Sequence, residues 1–124
     1  MDPNTHELTS MPDVTTVYDL LKEFFNLNNR ESREYTAKYL EQLQHSVFAW
    51  KIADQLLINK FDSNSCIFAA QTLKNKIQNS FHELPPESYS SLKDSIINHL
   101  KNIQENTVQT QLCLAITYLG NSFS

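Results

Sequence analysis

Four histidines and two cysteines are the side chains of this sequence best suited to metal binding or nucleophilic chemistry, and their spacing supports neither. His6, His45, His82 and His99 stand far apart. None belongs to a His-Glu-x-x-His run, the spacing that turns two imidazoles onto one helix face beside a carboxylate. Cys66 and His82 fall on one predicted helix, but about four turns separate them, too far for a thiolate and its activating base. Cys66 and Cys113 both lie inside apolar helical patterns and read as reduced, partly buried thiols. Alone they make neither a disulfide framework nor a structural zinc site. Gly120 is the only glycine, which leaves no glycine-rich loop to cradle a phosphate. These residues argue against an enzyme and imply no metal or cofactor. They direct attention to surfaces that bind other macromolecules.

The elements that must carry such a surface are helical. Of the 124 residues, 40% are hydrophobic and 19% charged, the balance of a chain that folds. One glycine and four prolines supply too few turns for an all-β fold. The net charge of −4 counts against a nucleic-acid binder, which normally carries a basic stripe. The N-terminus lacks a basic stretch followed by an apolar one, and no apolar run approaches the length of a membrane span. The expectation is a soluble protein of the nucleus or cytoplasm.

Residues 1–12 have little apolar periodicity and are predicted to be a disordered leader, with the folded part over 13–124. Val17, Leu20, Leu21, Phe24 and Phe25 then fall at helical spacing, capped by Thr16 with Asp19 or by Asp13. A second helix begins near Arg30, with Tyr35, Tyr39 and Leu43 recurring every four residues beside Thr36 and Leu40. Ser46 is the expected cap of a third helix with stripe Ala49, Ile52, Ala53, Leu56 and Leu57. Ser63 starts a fourth, with Ile67, Ala70, Leu73, Ile77 and Phe81 as its buried row. Pro85-Pro86 ends it, and Pro86 suits the first turn of the next. The fifth helix carries Tyr89, Leu92, Ile96, Leu100 and Ile103. The sixth, capped by Thr107, carries Val108, Leu112, Ala115, Ile116 and Leu119. Paired, the helices repeat about every 30–45 residues, near the period of HEAT and armadillo arrays. A hairpin cannot bury both its stripes alone. Stacking hairpins into a solenoid solves that problem, and so does a closed bundle. Periodicity does not choose between them.

Residues 36–84 carry a resemblance that does. TAKYLEQLQHSVFAWKIADQLL followed by CIFAAQTLKNKIQNSFHELP resembles the N-terminal domain of the importin-β (karyopherin-β) family, on Ala37, Trp50, Phe68, Ala69, Ala70, Leu73, Lys74, Asn75 and Ile77. Glu41 departs from it, standing where the family spacing asks for an apolar residue. The strings HSVFAWKIADQLL, FAAQTLKNKIQNSFHELP and SLKDSIINHL are most similar to the transportin-3 and importin-13 branch. The resemblance implies an all-α solenoid of about three HEAT-like antiparallel hairpins in a right-handed superhelical stack. It also implies the N-terminal fragment of a receptor that carries protein cargo, serine/arginine-rich splicing factors in this branch, through nuclear pore proteins under the GTPase Ran. The other reading is a short stand-alone helical adaptor, or a truncated, non-functional isoform.

The same resemblance assigns surfaces. The second helix of each hairpin lines the concave face, where the first few meet Ran in its GTP form. Gln71, Lys74, Asn75 and Gln78, off the buried row of the fourth helix, are the implied contacts, with Arg30 and Arg33 on the second helix and Gln109 and Gln111 on the sixth. Trp50 is expected to pack between the first two hairpins. Leu112, Ile116 and Leu119 are expected to lack a covering neighbour, and so to favour self-association or loss of the last helix.

Overall fold

Asp13 opens the first helix. Its carboxylate accepts from the Thr15 N–H at 3.1 Å and its carbonyl from the Val17 N–H, so Asp13, and not the Thr16–Asp19 pair, is the cap. The computed structural model describes residues 10–26 and 30–121, the side chains of 30–32 aside. Most of the expected leader therefore lies outside the described residues. Six helices follow in order: α1 Val14–Asn26, α2 Arg30–His45, α3 Ala49–Asn59, α4 Ser63–Asn79, α5 Tyr89–Asn102 and α6 Asn106–Asn121. Two 3-10 turns, Phe81–Glu83 and Pro86–Ser88, link α4 to α5, and no strand occurs among the described residues.

Each helix packs on its successor within a pair: α1 on α2, α3 on α4, α5 on α6. Between pairs, α1, α3 and α5 are neighbours in one layer, and α2, α4 and α6 in a second. α1 and α6 do not touch among the described residues. The arrangement is a stack of three HEAT-like hairpins and not a closed bundle.

α4 is the centre of the stack because its sequence lets four helices, α1, α2, α3 and α6, approach it. Ala69 and Ala70 are fully buried and short, so the backbones of α3 and α6 come close. Leu73 and Ile77 fill the space beside Leu56, Leu57, Leu112 and Leu119, each of these large side chains worth roughly 1.5–3 kcal/mol when removed from water. Asp62 caps α4 in a reciprocal box: its side chain accepts from the Ser65 N–H at 2.8 Å, while Ser65 Oγ accepts from the Asp62 N–H. α3 ends on Lys60, held in the left-handed region at φ 49° with its N–H donating to the Leu56 carbonyl.

Several sequence expectations are corrected by this packing. Ser46 does not cap α3; its hydroxyl donates to the Leu43 carbonyl at 2.7 Å and finishes α2 instead. Thr107 lies inside the first turn of α6, which starts one residue earlier. Tyr35 is 76% exposed, and the buried row of α2 runs through Thr36, Leu40 and Leu43. Phe81 is beyond the end of α4, in the 3-10 turn, where it packs against Tyr89. On α6, Leu112 and Leu119 are 0% and 1% exposed because α4 covers them. Ile116, the third residue of that stripe, is half-buried, so the expected bare stripe is covered at Leu112 and Leu119 and partly at Ile116.

Two buried ionic groups were not legible as such. Lys76, 3% exposed, pairs with Glu83 of the first 3-10 turn at 2.6 Å, and Trp50 Nε1 donates to the same carboxylate oxygen at 3.0 Å. Trp50 thus ties α3 to the link between the second and third hairpins. Burial pushes the Glu83 carboxyl up, but the Lys76 ammonium and the Trp50 N–H outweigh it and hold the group below the usual carboxylate range. His99, also 3% exposed, lies on α5 with Nε2 2.6 Å from Asp54 of α3, an ion pair when the ring is protonated.

Candidate partner-binding surface

The apolar periodicity of α4 fixes where its polar residues point. At 100° per residue, Gln71, Lys74, Asn75 and Gln78 share an arc of about 100°, opposite the face that buries Ala69, Leu73 and Ile77. Gln71, Asn75 and Gln78 are exposed and Lys74 is half-buried. The row therefore exists as expected.

Beside it runs α2. Gln44 Nε2 donates to Thr72 Oγ1 at 2.9 Å, and Thr72 in turn donates to the Phe68 carbonyl at 2.7 Å. This short chain fixes α2 against α4 through neutral groups, which costs little desolvation compared with an ion pair. Two grooves flank it. One of about 290 Å³ is polar, lined by Glu41, His45, Asn75, Asn79 and Ser80 among others. The other, about 450 Å³, opens between the end of α1, α2 and α4, with Gln71 at its edge. Asn75 and Gln71 thus each border a concavity shared with α2.

The remaining expected contacts do not join this row. Arg33 is exposed, but its guanidinium stacks 4.9 Å from the centre of the Phe24 ring on α1. The side chain of Arg30 lies outside the described residues. Gln109 donates to the Ile103 carbonyl at 3.1 Å and serves the α5–α6 turn. Gln111 is half-buried on α6.

Reasoning from sequence missed the α2 wall of these grooves. The signal was present in Glu41, whose departure from the apolar pattern is explained by its place on the rim, where it is exposed. Cys113 is exposed and Cys66 buried, and burial pushes the Cys66 thiol up, away from a reactive thiolate.

Comparison with known proteins agrees with this architecture. The profile described as the importin-beta N-terminal domain matches residues 36–102, from the middle of α2 to the end of α5. Transportin MOS14 of Arabidopsis thaliana is 30% identical over 89% of the chain. The mRNA transport regulator MTR10 of Saccharomyces cerevisiae is 30% identical over 77%, and importin-13 of Homo sapiens 29% identical over 88%. The chain spans only 12%, 10% and 12% of these three proteins. With more than half of its residues inside the matched domain, the chain belongs to the importin-β family.

Proposed function

We propose that this segment is the N-terminal part of a nuclear transport receptor and that its α2/α4 face meets the small GTPase Ran in its GTP form. The observation that carries the reading is the row Gln71, Lys74, Asn75 and Gln78, free of the core and beside two concavities, within the matched domain. Arg33 and Arg30 stand at the α1 end of the same layer and belong to the proposed contact as its periphery. The transportin-3 and importin-13 branch, shuttling between nucleus and cytoplasm, protein cargo of the serine/arginine-rich class and contact with nuclear pore proteins are parts of the same proposal for the longer receptor. Replacing Lys74 and Asn75 together by alanine is expected to weaken binding of GTP-analogue-loaded Ran, measured by calorimetry, with the thermal transition kept. An unchanged affinity in that folded variant would remove these residues from the contact.

One observation favours a second reading, a stand-alone helical adaptor. The three hairpins bury Leu112 and Leu119 without help, so the unit has a core of its own. Binding of a protein partner with no Ran dependence would support it.

A further inference from the structure

α2 and α4 both end at the smaller of the two grooves. Glu41, Gln44 and His45 of its lining belong to the last five residues of α2. Asn75, Lys76 and Asn79 belong to the last five of α4, and Ser80 is the C-cap of that helix. The last carbonyls of a helix have no donor within it, which makes its C-terminus the negative end of its dipole. Two such ends meet here. Lys76 does not cancel them, because its Nζ is buried and already paired with Glu83 at 2.6 Å.

The amides that line the groove present oxygen to it. Thr72 Oγ1 gives its proton to the Phe68 carbonyl at 2.7 Å, so towards Gln44 it can only accept, and the group Gln44 sets against it at 2.9 Å is the NH₂. Asn79 likewise commits its NH₂ to the Asn75 carbonyl at 3.1 Å. Both amide oxygens are left without a hydrogen bond among the described residues. Glu41 adds a carboxylate, and the approach of His45 at 4.0 Å is too long to occupy it. Acceptors from two helices therefore face one space, with their donors turned into the protein, at two negative helix ends. The complement of that arrangement is a cation carrying several donors. A guanidinium has five N–H groups fanned out in a plane and can reach both walls, whereas an ammonium is compact and strongly hydrated. At about 290 Å³ the groove admits such a head group. We infer that it is a binding site for an arginine side chain of a partner protein. This goes beyond the GTPase contact, since any partner presenting an arginine there meets the same oxygens, and it is tested without Ran.

Three capped amino acids separate charge from shape: the acetyl methylamides of arginine, citrulline and lysine, each titrated into the isotope-labelled chain by NMR. The arginine probe should saturably shift the side-chain NH₂ signals of Gln44, Asn75 and Asn79 and the backbone amide of Glu41. Citrulline keeps the shape and loses the charge, and should bind at least about fivefold more weakly, the difference between charged and neutral hydrogen bonds. Lysine should bind about threefold more weakly than arginine. Asn79→Asp, at an exposed position, should strengthen the arginine probe about threefold and Glu41→Gln should weaken it about threefold, the scale of one exposed ion pair, while citrulline binding stays unchanged in both. The two variants act in opposite directions, so a general loss of structure cannot produce the pattern. The inference is overturned if the arginine probe gives no saturable shift at these groups, if citrulline or lysine binds as tightly as arginine, or if neither variant alters arginine binding. Inorganic phosphate shifting the same signals would overturn it too, since the groove would then present Lys76 to an anion.

Discussion

Lys76 illustrates how a residue can hide its role in sequence. Its neighbours Leu73 and Ile77 are apolar, and a lysine between them reads as a solvated flank, yet α4 buries it at 3% exposure. The partner that makes this tolerable, Glu83, comes from beyond the helix, and Trp50 from another helix altogether. No local pattern encodes such a meeting. Lys76→Met, which strands the carboxylate, is expected to destabilise the chain by about 3 kcal/mol in urea unfolding, the scale for breaking a buried pair. Trp50→Ala should cost roughly 3 kcal/mol, near the low end for a large aromatic because the ring is only half-buried. The pH dependence has a definite sign. Glu83 is held below its unfolded value, so its contribution is present above that value, about 4.3, and is lost as pH falls through the lower folded one. Glu83→Gln should therefore lower the melting temperature at pH 7 and narrow the gap to wild type as the medium is acidified below about 4. A gap constant across that range would contradict the assigned ion pair.

Helices were legible because their stripes are strong, and their ends were not. Of the α6 row, Val108, Leu112, Ala115 and Leu119 are buried as their spacing implies, and Ile116 is half-buried at its edge. Ser46 failed as a cap because a hydroxyl beside a helix end can serve either terminus; here it bonds backward to Leu43. Tyr35 failed because four-residue spacing places it on the edge of the α2 stripe, and Thr36 is small enough to take the buried place. The α4 surface row was legible for the converse reason: its polar residues are what remain once the buried arc is drawn. The grooves were not, since each concavity belongs to two or three helices at once. Two substitutions test the ends. Asp62→Ala removes one half of the capping box and should cost about 1 kcal/mol. Lys60→Gly relieves a left-handed conformation and should raise stability by about 0.5–1 kcal/mol, provided the αL geometry ends α3 as observed.

For the whole molecule, the order of contacts decides what three hairpins can do. The most extensive contact joins α4 to α6, so α6 is held on the centre of the stack. α6 amides should accordingly exchange with deuterium as slowly as those of α4, and much more slowly than those of α1, whose contacts with its neighbours are less extensive. Early exchange of α6 at concentrations where the chain is monomeric would restore the picture of a fraying end. A stack that holds its own shape presents the α2/α4 face ready-made, and this is what the receptor reading needs. Affinity is expected to be modest all the same, because a receptor several times longer gains from multiple linked contacts that one segment cannot make. The nucleotide state is the sharper criterion: the γ-phosphate orders the switch loops of a GTPase, and a surface that reads those loops must distinguish the two states. The deciding measurement is a titration of this chain against Ran loaded with a non-hydrolysable GTP analogue and, separately, with GDP. Binding to the first form with clear preference over the second is the predicted result; equal binding to both, or none to either at high micromolar concentration, would contradict the account.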